Sequence, residues 1–146
     1  GMKPKQLAVD TTSILSFLIG GKAVQVFDSP DVDSFVTTEF NIQEVRHMIP
    51  KLAAEYHLNG DGLREVLEKL IRTKLRVLAA SDYSSGWKQA REVMERIDEK
   101  DTDLLALALS LDCPVWTRDS DFREPSVTRL ITVYSTGELL KILYHR

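Results

Sequence analysis

The sequence is poor in the residues and segments that define several common protein classes. Its 146 residues include a single cysteine, Cys113, which excludes an internal disulfide and suits a reducing compartment. Long apolar runs are missing, so we expect no signal peptide and no membrane span, and we expect a cytoplasmic location. The formal net charge of −3 gives no bulk electrostatic attraction to nucleic acid or to an anionic membrane.

Catalytic motifs of several other chemistries are missing as well. The sequence has no glycine-rich phosphate-binding loop, and its three histidines, His47, His57 and His145, stand alone without metal-ligand spacing. Cys113 comes directly before a predicted strand, where packing is a simpler role than nucleophilic attack. If the substrate is a nucleic acid, local basic groups or bound cations must therefore attract it.

Short apolar runs alternate with helical patterns along the whole chain. This alternation predicts one α/β domain over residues 2–146, with a mainly parallel sheet covered by helices on both faces, and Gly1 is interpreted as a cloning remnant. Pro50 predicts a kink or a junction within the helical segment after the second strand. The predicted strands are residues 6–9, 34–38, 75–79, 114–117 and 129–134.

Five carboxylates adjoin the ends of these strands. Asp10 follows the first strand, Glu44 lies in the helix after the second, Asp101 opens the helix before the fourth, and Asp119 and Asp121 follow the fourth. Functional groups of such sheets gather beyond the carboxyl ends of the strands, so we expect these acids to converge. Packed carboxylates repel one another, and their hard oxygen atoms suit Mg²⁺ or Mn²⁺, which predicts a site for such an ion.

Each acid also has a simpler structural interpretation. Asp10 could act only as a helix cap, and the charged run at residues 98–103 could be a solvated helix start. Glu44 shares a helical face with Phe40, a face that must bury apolar groups, so a functional role is favoured there. Asp103 could serve in place of Asp101.

Basic and aromatic residues offer weaker signals of nucleic-acid binding. Arg118 and Arg123 flank the predicted acid cluster and could hold phosphates, or they could balance the neighbouring acids. The basic stretch at residues 69–76 could follow a nucleic-acid backbone, although cations also suit an exposed helix end. Trp116 lies in an apolar strand and is expected in the core, whereas the role of Trp87 stays open.

Three segments together resemble the PIN domain family, the VapC-like metal-dependent ribonucleases. They are "AVDTTSIL" (8–15), "TTEFNIQEV" (37–45) and "DTDLLALALSLDCPVWTRDSDF" (101–122), and with the final strand and helix the resemblance covers residues 6–144. It implies a small three-layer α/β/α sandwich with a mainly parallel central sheet. It also implies a metal-dependent nuclease that cuts RNA.

The resemblance implies a role for each matching position. Asp101 rather than Asp103 matches the acid before the apolar helix, Thr117 a hydroxyl near the metal, and Asp121 a further acid that acts on the metal through water. Thr12 takes a supporting position where many members have asparagine, and Asp112 replaces a frequent glycine. The principal metal-binding and catalytic acids that the resemblance implies are Asp10, Glu44, Asp101 and Asp119.

The first functional hypothesis is therefore a Mg²⁺- or Mn²⁺-dependent endoribonuclease that uses metal-activated water. Because small stand-alone members are commonly toxins of toxin–antitoxin pairs, the resemblance also implies a protein antitoxin partner and a homodimer. A second hypothesis is a non-catalytic nucleic-acid-binding or assembly module on the same fold. A phosphotransfer protein is disfavoured: a haloacid-dehalogenase-type phosphatase needs an acid where Thr12 stands, and a response-regulator receiver needs another acid beside Asp10.

Overall fold

The computed structural model describes residues 2–144. The interpretation of Gly1, the isolated His145 and the end of the predicted last helix lie outside the described residues. Five parallel strands form one sheet in the order β3-β2-β1-β4-β5. The strands are β1 (Gln6–Val9), β2 (Ser34–Thr38), β3 (Leu75–Leu78), β4 (Val115–Trp116) and β5 (Val133–Tyr134).

Helices connect the strands and cover the sheet. Three short 3-10 helices, at Ala80–Gly86, Glu99–Asp101 and Ser120–Arg123, supplement the α-helices of the described chain. The α-helices are α1 (Thr11–Leu18), α2 (Ala23–Phe27), α3 (Glu39–Tyr56), α4 (Gly60–Thr73), α5 (Trp87–Met94), α6 (Thr102–Leu111), α7 (Pro125–Thr128) and α8 (Thr136–Tyr144).

The two faces of the sheet carry two separate apolar cores. Successive side chains of a strand point to opposite faces, so Leu7 and Val9 join one core and Ala8 joins the other. Helices α1 to α4 and α8 pack on the Leu7 side with Trp116, and α5 and α6 pack on the Ala8 side with Val115. This arrangement confirms the predicted α/β/α sandwich with a parallel central sheet.

The segment after β4 differs from its prediction. The last strand begins at Val133 instead of residue 129, because α7 and a turn occupy the preceding residues. Pro125 at the start of α7 explains this helix, since proline has a helical φ and its missing N–H is not needed in the first turn. The earlier strands β1 and β2 have the predicted bounds.

Two positions test the predicted helix boundaries. Helix α3 continues through Pro50 to Tyr56, so the prediction of a junction between two helices there is wrong. Burial of Val45 and Ile49 on one face holds the helix to the sheet. Asp112 ends α6 with a left-handed backbone, φ 50°, which confirms that it can take the place of a glycine. None of the helices within residues 2–144 is long and apolar enough to cross a membrane.

Candidate active site

The site lies where the strand order of the sheet reverses. β1 is followed by a crossover to β2 on one side, and β4 pairs with β1 on the other side. Ligands of such sheets bind beyond the carboxyl ends of the strands at this point. Asp10 is the first residue after β1, and Thr117 is the first after β4. The two predicted strand ends therefore meet at one place.

Asp10 is a buried carboxylate held by several donors. Its Oδ2 accepts from the Thr117 hydroxyl at 2.6 Å and from the Thr12 hydroxyl at 3.3 Å. Its Oδ1 accepts from the Thr11 amide at 2.8 Å and the Asn41 side chain at 3.4 Å, so Asp10 also caps α1. Burial raises the pKa of Asp10, and the bonds from Thr117 and Thr11 oppose that rise. Asp10 thus caps α1 and also lies at the candidate site, at the carboxyl end of β1.

The chain after β4 is a connected run of hydrogen bonds. The Thr117 hydroxyl, which donates to Asp10, also accepts from the Asp119 amide at 2.9 Å. Asp119 Oδ1 in turn accepts from the Asp121 amide at 2.9 Å, capping the 3-10 helix that begins at Ser120. Thr117 therefore fixes the position of Asp10 relative to Asp119.

Asp101 is a buried acid without a basic partner in the described chain. It is 8 % exposed, and it occupies the cap position before α6 without making a side-chain capping bond. Its Oδ2 is buried and accepts no hydrogen bond from any residue in the described range. Burial, followed by the negative charges of Asp119 and Asp10, raises the pKa of Asp101 to about 8. A buried carboxylate of this kind is stable only with a proton or a cation beside it.

Asp98 lies beside Asp101 and Asp121 and was not predicted from the sequence as a site residue. One carboxylate oxygen from each of Asp98, Asp101 and Asp121 lies within 4.8 Å of the other two. Asp98 begins the charged run and caps the 3-10 helix Glu99–Asp101 through the Lys100 amide. Nothing in the run distinguishes Asp98 from its acidic neighbours, because only the turn of that 3-10 helix brings it beside Asp101.

Glu44 joins the site through a threonine. Its Oε1 accepts from the Thr11 hydroxyl at 2.9 Å, and Thr11 is the residue whose amide bonds Asp10. Glu44 is half-buried on α3 and lies outside the group formed by Asp98, Asp101 and Asp121. The structure thus links Glu44 to Asp10 but does not place it against the other acids.

Asn41 is a second site residue that sequence reasoning missed. Its side-chain amide donates to the Thr11 hydroxyl at 3.0 Å, and its carbonyl oxygen accepts from Thr38 at 2.6 Å. The sequence shows only that Asn41 is a polar residue beside Ile42 on the apolar face of α3. Such a residue needs hydrogen-bond partners once buried, and Asn41 finds them at the ends of β1 and β2.

The remaining predicted residues lie around the acids. Asp103 accepts a hydrogen bond from the Tyr83 hydroxyl at 2.5 Å and is not part of the group formed by Asp98, Asp101 and Asp121. Arg123 forms an ion pair with Glu138 and lowers the pKa of that carboxyl. Arg118 is exposed and forms no ion pair with a residue of the described chain.

The acids as a group have the chemistry of a divalent-cation site. Within residues 2–144 no lysine or arginine pairs with Asp10, Asp101, Asp119 or Asp121. Carboxylate oxygens are the hard ligands that Mg²⁺ and Mn²⁺ prefer, and the unpartnered oxygen of Asp101 is such a donor. The donor set therefore fits the predicted ion.

Comparison with protein families identifies the fold family. The model of the PIN domain matches residues 8–134. This range covers most of the chain, and the protein belongs to the PIN domain family. A comparison with curated proteins gave no match.

Solved structures agree with this assignment at the level of the fold. A chain of VapBC2 from Rickettsia felis, bound to a DNA fragment from their promoter, matches with a TM-score of 0.67 and 10% identity, over 89% of this chain and 98% of that one. A chain of FitAcB from Neisseria gonorrhoeae matches with a TM-score of 0.62 and 20% identity, over 91% of this chain and 99% of that one.

Proposed function

We propose that the protein is a Mg²⁺- or Mn²⁺-dependent endoribonuclease that hydrolyses RNA phosphodiesters. The observation that carries this proposal is the buried, unpartnered carboxylate of Asp101 among acids that no basic side chain of the described residues neutralises. A protein gains nothing structurally from such an arrangement, since each buried and unpaired charge costs stability. Membership of the PIN domain family supports the same conclusion.

The metal ligands proposed are the acids that meet at the switch point of the sheet. Asp121 contributes through water, and Asp98 is added because its carboxylate approaches those of Asp101 and Asp121. A divalent ion held there would polarise a phosphoryl oxygen and lower the pKa of a bound water. The directly ligating acids proposed are Asp10, Asp101 and Asp119, together with Glu44, which the Thr11 hydroxyl holds near Asp10 although it lies apart from the group of Asp98, Asp101 and Asp121.

The chain itself supplies positioning. Hydrogen bonds from Thr117 and Thr12 hold Asp10 Oδ2, and the Thr11 hydroxyl holds Glu44. Arg118, which directly precedes Asp119 and has no ion-pair partner in the described chain, is proposed to contact a substrate phosphate. Arg123 is less free for this role because Glu138 holds its guanidinium.

A toxin–antitoxin role is the biological setting we propose. Two of its structural neighbours are chains of VapBC2 and FitAcB, which are toxin–antitoxin complexes, and this chain covers nearly the whole length of each matched chain. The partners inferred are an RNA substrate, a protein antitoxin and a second copy of the chain. Co-expression with the product of an adjacent small gene, followed by co-purification, tests the antitoxin.

Cleavage of single-stranded RNA is the direct test of the proposed function. We expect the purified protein to cut RNA with added Mn²⁺, and we expect Asp10→Asn and Asp119→Asn each to abolish the cut. Both variants keep the size of the side chain, so circular dichroism should show an unchanged fold. Cleavage by both variants at the wild-type rate would defeat the proposal, and RNA binding without cleavage would favour a non-catalytic module.

Thr117→Val tests the positioning of Asp10 by its hydroxyl partner. The variant removes the bond to Asp10 and the acceptor for the Asp119 amide, so we expect Mn²⁺ affinity to fall about 10–100-fold, the usual effect of losing a residue that orients a ligand. Thr117→Ser keeps the hydroxyl and should bind Mn²⁺ nearly as the wild type does. Calorimetric titration measures both, and equal affinities for the wild type and Thr117→Val would contradict this role.

A further inference from the structure

An exposed tryptophan, Trp87, has no role in the site described above. Trp87, 38% exposed, begins α5 and lines a hollow of about 440 Å³. We call this the Trp87 hollow, and its lining residues are Ala80, Ser81, Ser84, Trp87 and Asp103.

The walls of the Trp87 hollow are fixed to the body of the protein. Gly86 lies so close to α6 that a Cβ atom there would collide with the Ala106 carbonyl oxygen. The Gly86 amide donates to the Ser110 hydroxyl at 2.9 Å, and that hydroxyl donates to the Tyr83 carbonyl at 3.0 Å. These contacts hold the 3-10 helix Ala80–Gly86 against α6, and Trp87 directly follows that helix.

Asp103 gives the hollow an oriented acceptor. The Tyr83 hydroxyl donates to Asp103 Oδ2, while Oδ1 accepts no hydrogen bond from the residues described. The serines Ser81 and Ser84 add hydroxyl groups to the same lining. An aromatic surface, hydroxyls and one free carboxylate oxygen are thus combined within one hollow.

The hollow lies at the same edge of the sheet as the candidate metal site, because Ala80 and Ser81 follow the end of β3 as Asp10 follows the end of β1, and the strands are parallel. Asp103 follows Asp101 by two residues at the start of α6. Trp87 also lines a second hollow together with Glu99 and Thr102, which lie on either side of Asp101 in the chain. A molecule seated on Trp87 would therefore lie at the same edge of the sheet as whatever binds at Asp101.

We propose that the Trp87 hollow binds one unpaired nucleobase of the RNA substrate, which stacks on Trp87 while Asp103 accepts a hydrogen bond from its amino group. This inference rests on the proposed function and names the substrate element that its site selects. A carboxylate in the lining repels phosphate but accepts readily from an exocyclic amine, as acidic side chains do from cytosine. Bases that carry an amino group should therefore be preferred over uracil.

Stacking is tested with short oligocytidylate, with Ca²⁺ in place of Mn²⁺ and the oligonucleotide checked for integrity afterwards. Because Trp116 is fully buried, quenching of tryptophan fluorescence on binding reports Trp87. We expect Trp87→Leu to weaken binding about tenfold in fluorescence anisotropy, since stacking one base on an aromatic side chain contributes at about that scale. Trp87→Phe keeps an aromatic face and should stay within about threefold of the wild type.

Tyr56→Leu is the matched control. Tyr56 is another exposed aromatic residue, and it ends α3, whose start rather than its end adjoins the site. This variant should bind oligocytidylate as the wild type does. Wild-type affinity of Trp87→Leu, measured while Asp10→Asn still abolishes cleavage, would overturn the Trp87 hollow and leave the nuclease proposal intact.

Base preference is tested with oligoadenylate, oligocytidylate and oligouridylate. We expect oligouridylate to bind several-fold more weakly than the other two, and we expect Asp103→Asn to remove the difference while Mn²⁺ affinity is kept. Equal affinities in the wild type would overturn the role of Asp103. If the wild-type protein neither binds nor cleaves any of the three with divalent ions present, the proposed function itself fails, and this inference fails with it.

Discussion

Asp101→Asn is expected to abolish RNA cleavage and at the same time to make the protein more stable. The substitution removes one ligand charge from the proposed metal site, and the rate should fall about a thousandfold, the upper range for losing one preorganised electrostatic group. The same substitution replaces a buried carboxylate, one of whose oxygens is unpartnered, by a neutral amide. A loss of cleavage together with a gain in stability would show that Asp101 is retained for function and not for stability.

The stability gain should be clearest without metal and at alkaline pH. Leaving a buried polar group unsatisfied costs about 1–3 kcal/mol and more for a charged group, so the gain in the free energy of unfolding should be at least of that size. The introduced side-chain amide would also donate to the surrounding carboxylates in place of repelling them. Urea unfolding with EDTA present measures the gain, and cleavage with Mn²⁺ present measures the loss of activity.

Asp112→Asn is the matched control for this experiment. Asp112 is exposed at the other end of α6, and asparagine tolerates its left-handed backbone. The control should change neither the cleavage rate nor the free energy of unfolding appreciably. A less stable Asp101→Asn protein would show that Asp101 is structural, and an active one would remove it from the catalytic site.

The sequence predicts the parts of this fold that depend on local pattern. Apolar runs of four or five residues bounded by polar ones are enough to define β1 and β2, because burial of a parallel strand requires such a run. The general rule for strand ends then predicts that Asp10 and Asp119 meet. Their charges do interact, since Asp119 raises the pKa of Asp10. Thr117 followed from the family resemblance alone.

The parts that depend on distant contacts are not readable in the sequence. Asn41 acquires its role from hydrogen bonds to residues about thirty positions away, and no local pattern encodes them. The family resemblance selects Asp101 over Asp103, but no local pattern does, because the turn of the preceding 3-10 helix directs one carboxyl to the acids and leaves the other for Tyr83. The position of Asp98 beside Asp101 depends on the same turn.

Mn²⁺ binding is expected to strengthen steeply as the pH rises from about 6 to about 8. The pKa of Asp101 is raised to about 8 by burial and by the charges of Asp119 and Asp10, so the metal-free protein carries a proton there at neutral pH. A bound cation must displace that proton, and each pH unit below the pKa therefore costs up to about tenfold in affinity. Calorimetry in two buffers of different ionisation enthalpy should show release of about one proton at pH 7.

The metal-free protein should show the opposite trend in stability. The ordinary pKa of the carboxyl is 3.8, so between about pH 4 and pH 8 the native state binds a proton that the unfolded state has lost. Its free energy of unfolding must then fall as the pH rises through that window, by at most about 1.4 kcal/mol per pH unit, and level off above it. The difference between wild type and Asp101→Asn isolates this contribution. A difference that stays constant with pH, together with Mn²⁺ affinity that does not change with pH, would mean that Asp101 is already ionised without metal and that the acids are neutralised in another way.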